Sequence, residues 1–313
     1  MNFRIRLILA AAAVLAGGSA NAATDVMAPG VLVDSATGRA YVADVGGRTQ
    51  ALTLAEGRAL WASEEIALPL AERDGTVYAL GQPGLVGVGT VLLLDAGTGV
   101  VRDRIAFDLP EHVEATVVAT PKGRFTARLV DQDGTLRLYW RHVAQPLRGA
   151  YEAGVSELRS DSGAVDLRAS GSRVVAVPVT EAVEAPPAPA VNLAADQAIA
   201  GLDGRQFRGM GDTAVLASDV VEDARHGLAW RWTFQSRAST RAAGSLVMPQ
   251  SMAPFALVGD ERVLFRAEAY GVRTAEGREQ YEPTRLVLWD LAAGRERWRL
   301  PVLDPVYRGT LPP

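Results

Sequence analysis

The stretch RLVLWDLAAGRERWRL, residues 285–300, reads as two short strands joined by a tight turn, with Gly294 four residues before Trp298. Glycine takes the positive φ of a tight turn at little cost. LTLAEGRALW repeats the arrangement, with Gly57 four residues before Trp61. LLDAGTGVVRD repeats it again, with Asp95 and Gly99, but carries Asp103 where the tryptophan would fall. Asp290 stands where the second hairpin has Asp95, and Thr53 holds that place in the first. The residues defining the hairpin are Gly57, Trp61, Asp95, Gly99, Asp290, Gly294 and Trp298. They are expected to be structural, with glycine making the turn and tryptophan covering the edge of a neighbouring sheet.

A second hairpin recurs more widely. A polar turn with glycine, followed by alternating β-branched and apolar residues, appears around Gly38, Gly75, Gly123, Gly171, Gly211 and Gly259, at intervals of 37, 48, 48, 40 and 48 residues. Two hairpins per unit make a four-stranded sheet of the size of a propeller blade. The spacing divides the chain into Pro29 to Ser63, Ile66 to Phe107, Ala115 to Gly154, Ala164 to Ala200, Phe207 to Pro249 and Pro254 to Leu303. The expectation is an all-β propeller of four-stranded antiparallel blades, with six blades, or seven if the tail DPVYRGTLPP completes another. A pair of β-sandwiches competes, but does not require a six-fold recurrence. Long amphipathic helical patterns are missing, which argues against an α/β fold. Residues 181–198, with Pro186, Pro187 and Pro189, and residues 271–284 read as exposed loops, because proline cannot donate to a central ladder.

Residues 1–22 read as a secretory signal: Arg4 and Arg6, an apolar run from Leu7 to Leu15, and the small-residue site Ala20-Asn21-Ala22. The apolar run is too short to span a bilayer, so residues 23–313 are expected to form one propeller domain, periplasmic or secreted and not inserted in a membrane. Cysteine is absent, which removes disulfides, thiol chemistry, zinc–thiolate sites and a lipid-modified cysteine. Loss of Arg4 and Arg6 takes the formal charge from −4 to −6. That acidic balance, with no block of lysine or arginine, argues against nucleic acid as a partner.

ALTLAEGRALW, LLLDAGTGVVRD and LVLWDLAAGRERW resemble the repeat of quinoprotein-type (PQQ-like) β-propellers, in which an aspartate, a glycine turn and a tryptophan recur. VDSATGRAYVADVGGRTQALTL is also similar to the tyrosine-valine-threonine-asparagine type of surface-layer and lactonase propellers. The resemblance implies a choice between a quinone-dependent dehydrogenase, a metal-dependent hydrolase and a non-catalytic binding platform. The quinone enzymes carry a vicinal disulfide against the cofactor and calcium beside a catalytic aspartate; this chain has no cysteine and no Asp/Asn/Glu cluster assignable to that site. No cofactor is expected.

Catalytic signals are sparse. His112, His142 and His226 fall in different units without shared spacing, no G-x-S-x-G occurs, and GQPGLVGVGT lies between strands rather than opening a helix. Asp34, Asp44, Asp95 and Asp290 fall near strand ends, where a channel gathering carboxylates would hold a divalent metal for a hydrolase. The competing use of aspartate in such turns is to bond local backbone amides. Trp230 and Trp232 share one face of a strand, as a recognition surface or as packing between blades. The sequence thus reads as an exported, non-catalytic propeller that binds an envelope protein or peptide, with a channel hydrolase as the alternative.

Overall fold

The computed structural model describes residues 25–28, 30–34, 37–45, 47–117, 123–132, 134–144, 160–171, 173–180, 206–210, 213–223, 227–236, 242–248, 255–257, 262–267, 270–273 and 276–303. Every regular element in them is a strand. The first sheet runs β1 (Asp25–Ala28), β2 (Val31–Asp34), β3 (Arg39–Ala43), β4 (Thr49–Thr53) and β5 (Ala59–Ser63) in spatial order. The second is β6 (Ile66–Arg73), β7 (Thr76–Gly81), β8 (Val88–Asp95) and β9 (Val101–Asp108). The third is β10 (Arg124–Gln132), β11 (Thr135–Val143), β12 (Ser160–Ser170) and β13 (Arg173–Pro178). The fourth is β14 (Gln206–Met210), β15 (Thr213–Asp223), β16 (Gly227–Ser236) and β17 (Ala242–Met248). In the fifth, β18 (Phe255–Leu257) and β19 (Arg262–Ala267) are followed by a separate hairpin, β20 (Tyr270–Arg273) and β21 (Glu279–Glu282). The sheet then resumes with β22 (Arg285–Asp290) and β23 (Arg295–Pro301).

All the pairings are antiparallel between sequential neighbours, apart from the β19–β22 step across the inserted hairpin. The chain is an all-β propeller of four-stranded antiparallel blades. Strand β1 adds a fifth member beside the innermost strand of the first blade.

One part of the sequence division is corrected. The segments Ala115 to Gly154 and Ala164 to Ala200 are not two blades, because β11 pairs with β12 from Leu136↔Leu167 to Val143↔Ser160. They supply one sheet, and the described residues form five sheets of four or five strands. The cause is chemical: glycine punctuates the inner and the outer hairpin of a blade alike. Gly75 joins the first two strands of its blade, Gly171 joins the last two of its own, and Gly123 precedes β10. Residues 181–198 lie outside the described residues, whereas 271–284 contain the β20–β21 hairpin.

The core sits between the blades. Leu32, Tyr41 and Ala51 of the first sheet pack with Ile66, Val77, Leu92 and Leu94 of the second. Leu80, Val91 and Phe107 of the second pack with Phe125, Leu138 and Leu167 of the third. Val31, Val42 and Leu52 pack with Leu264, Leu286, Leu288 and Val302, so the fifth sheet meets the first. The Leu303 amide donates to the Ala43 carbonyl at 2.9 Å, and Asp44 bridges Val302, which ties the end of the last blade to β3.

The third blade contains a buried ion pair. Arg137 on β11 reaches Asp166 on β12, its register partner, with Nε 2.6 Å from Oδ1, and Arg168 donates to Oδ2 at 2.8 Å. Hydrogen bonds from Arg137, then from Arg168, hold the Asp166 carboxyl below its usual range. A carboxyl depressed on folding contributes stability that is complete above its unfolded value near 3.8 and is lost as pH falls through the native value. Arg137→Met is therefore expected to destabilise by its full amount from neutral pH down to about pH 4, with the gap to wild type narrowing only on further acidification, as read from melting curves between pH 7 and 2.

Candidate binding face and the seams between blades

The outer hairpins share a defect that spacing alone does not show. Pairing runs Ala51↔Trp61 then Leu52↔Ala59, Leu93↔Asp103 then Leu94↔Val101, and Leu288↔Trp298 then Trp289↔Glu296. Each leaves one extra residue, Leu60, Arg102 or Arg297, immediately before the tryptophan position. Such a bulge bends its strand and increases local twist, which re-aims the next side chain. Arg102 pairs with Asp95, and Arg297 Nε lies 2.8 Å from Asp290 Oδ2. Where Thr53 replaces the aspartate, the bulge residue is Leu60.

The re-aimed tryptophans cross to the next blade. Trp61 Nε1 donates to the Ala96 carbonyl at 3.0 Å, and a Cβ built on Gly99 would lie 2.5 Å from Trp61 Cδ2. Trp298 Nε1 donates to the Leu54 carbonyl at 3.0 Å, and a Cβ on Gly57 would lie 2.7 Å from its Cγ. These glycines have φ of 72° and 66°, so the turn and the overlying ring both demand the missing Cβ. Tyr41 flanks Trp61, with ring centroids 5.8 Å apart. Nothing among the described residues covers Gly294 in this way.

The fourth blade solves the same seam differently. Pairing slips from Phe234↔Gly244 to Gln235↔Ala242, placing Gly244 at the tryptophan position. A Cβ there would lie 2.2 Å from the Leu291 carbonyl oxygen. Leu291 follows Asp290 as Ala96 follows Asp95 and Leu54 follows Thr53. One carbonyl position therefore receives an indole N–H at two seams and bare backbone at a third. Gly244 carries no sequence signal, because a glycine inside a strand has no partner motif to mark it.

The four aspartates are held locally and do not converge. Asp95 accepts from the Gly97 and Thr98 amides at 2.9 and 2.8 Å, and Asp290 from the Ala293 amide at 2.8 Å. The Thr98 hydroxyl and amide hold Asp95 below its usual range, and the Ala293 amide with Arg297 does the same for Asp290. Asp34 accepts from the Thr37 amide at 3.2 Å, and Asp44 from the Arg48 amide at 3.1 Å. Asp34 ends β2 and Asp44 follows β3, so these two stand at opposite ends of one sheet. Among the described residues no group of three or more His, Cys, Asp or Glu side chains is placed to hold a metal ion.

Two histidines are less scattered than their spacing suggests. His112 Nε2 lies 2.9 Å from Asp161 Oδ2, and Asp161 is the register partner of buried His142. His226 and the side chains of Trp230 and Trp232 lie outside the described residues.

Glu72 titrates in the opposite sense to these aspartates. Burial first, and then the neighbouring Asp34 carboxylate, push it up against the pull of the Gly75 amide and Arg39. A carboxyl raised on folding contributes stability below its unfolded value near 4.5, and that contribution is lost as pH rises through the native value. Glu72→Gln, which keeps an acceptor for the Gly75 amide, is expected to raise the melting temperature at pH 7 and to change it less at pH 4.

The connections fall on the two faces of the propeller. In antiparallel blades, the loops joining first to second and third to fourth strands lie on one face, and the remaining loops lie on the other. Among the described residues the first face carries the turns 54–58, 74–75, 96–100 and 291–294. The other carries 44–48, 82–87, 109–117 and the β20–β21 hairpin. On that long-loop face Leu85 is 78 % exposed, Val45 63 % and Val86 48 %.

No protein-family model matches the chain, and no curated protein matches it. Solved structures do show similarity. The chain covers 82 % of its length and 77 % of BamB from Moraxella catarrhalis, at 12 % identity and a TM-score of 0.23. It covers 84 % of its length and 60 % of a europium-containing methanol dehydrogenase, at 12 % identity and a TM-score of 0.25. With the fission yeast SREBP–SCAP binding domains the figures are 94 % and 75 %, at 8 % identity and a TM-score of 0.29. Superposition this loose transfers no residue role or ligand to this chain.

The quinone site that the sequence resemblance implies does not fit these residues. Cysteine is absent, and the repeat aspartates Asp95 and Asp290 are committed to turn amides and to Arg102 and Arg297.

Proposed function

We propose that this protein is an exported, non-catalytic β-propeller that binds an envelope protein or peptide through its long-loop face. The carrying observation is that exposed Leu85, Val86 and Val45 stand on loops 44–48 and 82–87, which join strand ends on the same face and are held to each other by Gln82. Apolar side chains grouped on loops of a rigid scaffold suit recognition, because the scaffold is already ordered and the exposed apolar area is released from water on docking. The signal-like residues 1–22 support export, and no helix among the described residues is long and apolar enough to cross a membrane. Affinity purification of the tagged mature chain after crosslinking in intact cells tests this reading. A reproducible envelope partner is expected; recovery of the chain alone, where a known complex is captured in parallel, would sink it.

A further inference from the structure

We infer that the docking patch is the junction of loops 44–48, 82–87 and 108–117, and that it takes an extended segment with apolar side chains flanked by lysine or arginine. The inference rests on the binding-platform reading and adds to it the place and the chemistry of the partner.

Hydrogen bonds make the three loops one surface. Gln82 Nε2 donates to the Gly47 carbonyl at 2.7 Å and its amide to the Glu65 carbonyl at 2.8 Å, joining the first blade to the second. The Gly87 amide donates to Val113 at 2.9 Å, and the Leu109 amide to Gly87 at 2.8 Å, joining loop 82–87 to the segment that leads into the third blade. Leu85 and Val86 therefore project from a braced loop, with Val45 on the adjoining one.

Among the described residues, the charges around this apolar centre that make no ion pair have one sign, since Arg48 and Arg104 are paired with Asp44 and Glu65. Asp108 is the register partner of Val88, the Glu111 backbone lies against Gly87, and Glu64 precedes the Glu65 carbonyl that holds Gln82. All three are exposed, and none makes an ion pair among the described residues. Arg48, the nearest exposed cation on these loops, is already paired with Asp44 at 3.1 Å. An apolar patch ringed by unpaired carboxylates favours a cationic partner and repels an acidic one, which sets specificity and encounter rate. A second copy of this acidic chain would bring the same carboxylates face to face.

The first measurement uses fluorescent peptides of alternating lysine and leucine, or of alternating glutamate and leucine, titrated with the mature chain. Expected is binding of the lysine peptide alone, weakened roughly tenfold by Leu85→Ser with Val86→Ser and about threefold by Glu111→Gln, and unaffected by Val100→Ser on the opposite face. Equal binding of both peptides, no binding of either, or loss through Val100→Ser instead would overturn the inference. The second measurement places a photocrosslinking benzoylphenylalanine at position 85 or at position 100 in intact cells. An adduct through position 85 to a basic, apolar segment supports both readings. Adducts through position 100 alone leave the platform and remove this patch, a self-adduct at 85 makes it a homotypic interface, and adducts at neither remove the platform as well.

Discussion

Trp298→Ala is expected to lower the melting temperature by about 5–10 °C, a loss of about 2–3 kcal/mol. The indole covers Gly57, donates to the Leu54 carbonyl at 3.0 Å and packs on the cluster shared by the first and last blades. The ring is half-buried, so the cost falls below that of a fully enclosed tryptophan. Its position matters more than its area, because this seam joins the two ends of the folded chain. Amide exchange should therefore show the loss first at Leu303, whose N–H donates to Ala43 beside the same seam. Trp298→Phe retains the ring and loses the N–H donor, for about 1 kcal/mol. Trp61→Ala, which uncovers Gly99 inside the ring of blades, should match the alanine loss in magnitude without the selective exposure of Leu303. Equal protection of Leu303 in wild type and Trp298→Ala would show that the closure does not depend on the indole.

Gly244→Val is expected to cost about 3 kcal/mol or more, the upper end of overpacking effects. A Cβ at this position meets the Leu291 carbonyl oxygen at 2.2 Å and its carbonyl carbon at 2.7 Å, both backbone atoms that no rotamer change can move. Relief requires the fourth and fifth sheets to separate, which exposes apolar surface along the whole seam. Gly294→Ala is the control: it has no described neighbour within 4 Å, so its penalty is that of the turn's φ of 61° alone, about 1 kcal/mol. Chemical denaturation of the two variants separates the effects, and equal losses would refute the close-approach account.

These two seams show how far the sequence carries. The glycine and tryptophan of the outer hairpin stand at a fixed spacing, because both act within a few residues of one turn, and that spacing is visible as a motif. Gly244 performs the same service with no motif, since what it must avoid, the Leu291 backbone, belongs to another hairpin. Likewise, Gly123 and Gly171 have the spacing of two blade starts, yet one precedes the first strand of a sheet and the other joins the last two strands of that same sheet. A turn signal reports that the chain reverses, not which strand comes next to which.

The candidate binding face follows the same division. No motif marks Leu85 or Val86, because GQPGLVGVGT has only the composition of a loop. Their exposure depends on Gln82 reaching Gly47, 35 residues away, and on Val113 bonding Gly87. The acidic surroundings, Asp108, Glu111 and Glu64, come from two separate connections. The four aspartates near strand ends, by contrast, were legible as turn residues, since their amide partners lie within four residues along the chain.

The sequence by itself determined the period-two alternation, the turns and hence an all-β chain of repeated hairpins, because those depend on interactions between near neighbours. It also determined the absence of thiol chemistry and the acidic balance, which are matters of composition. The tertiary structure alone decided which hairpins share a blade, which residue closes each seam and which loops meet on one face. Those depend on contacts between groups far apart in the chain, where spacing carries no information and only packing, register and the direction of each strand do.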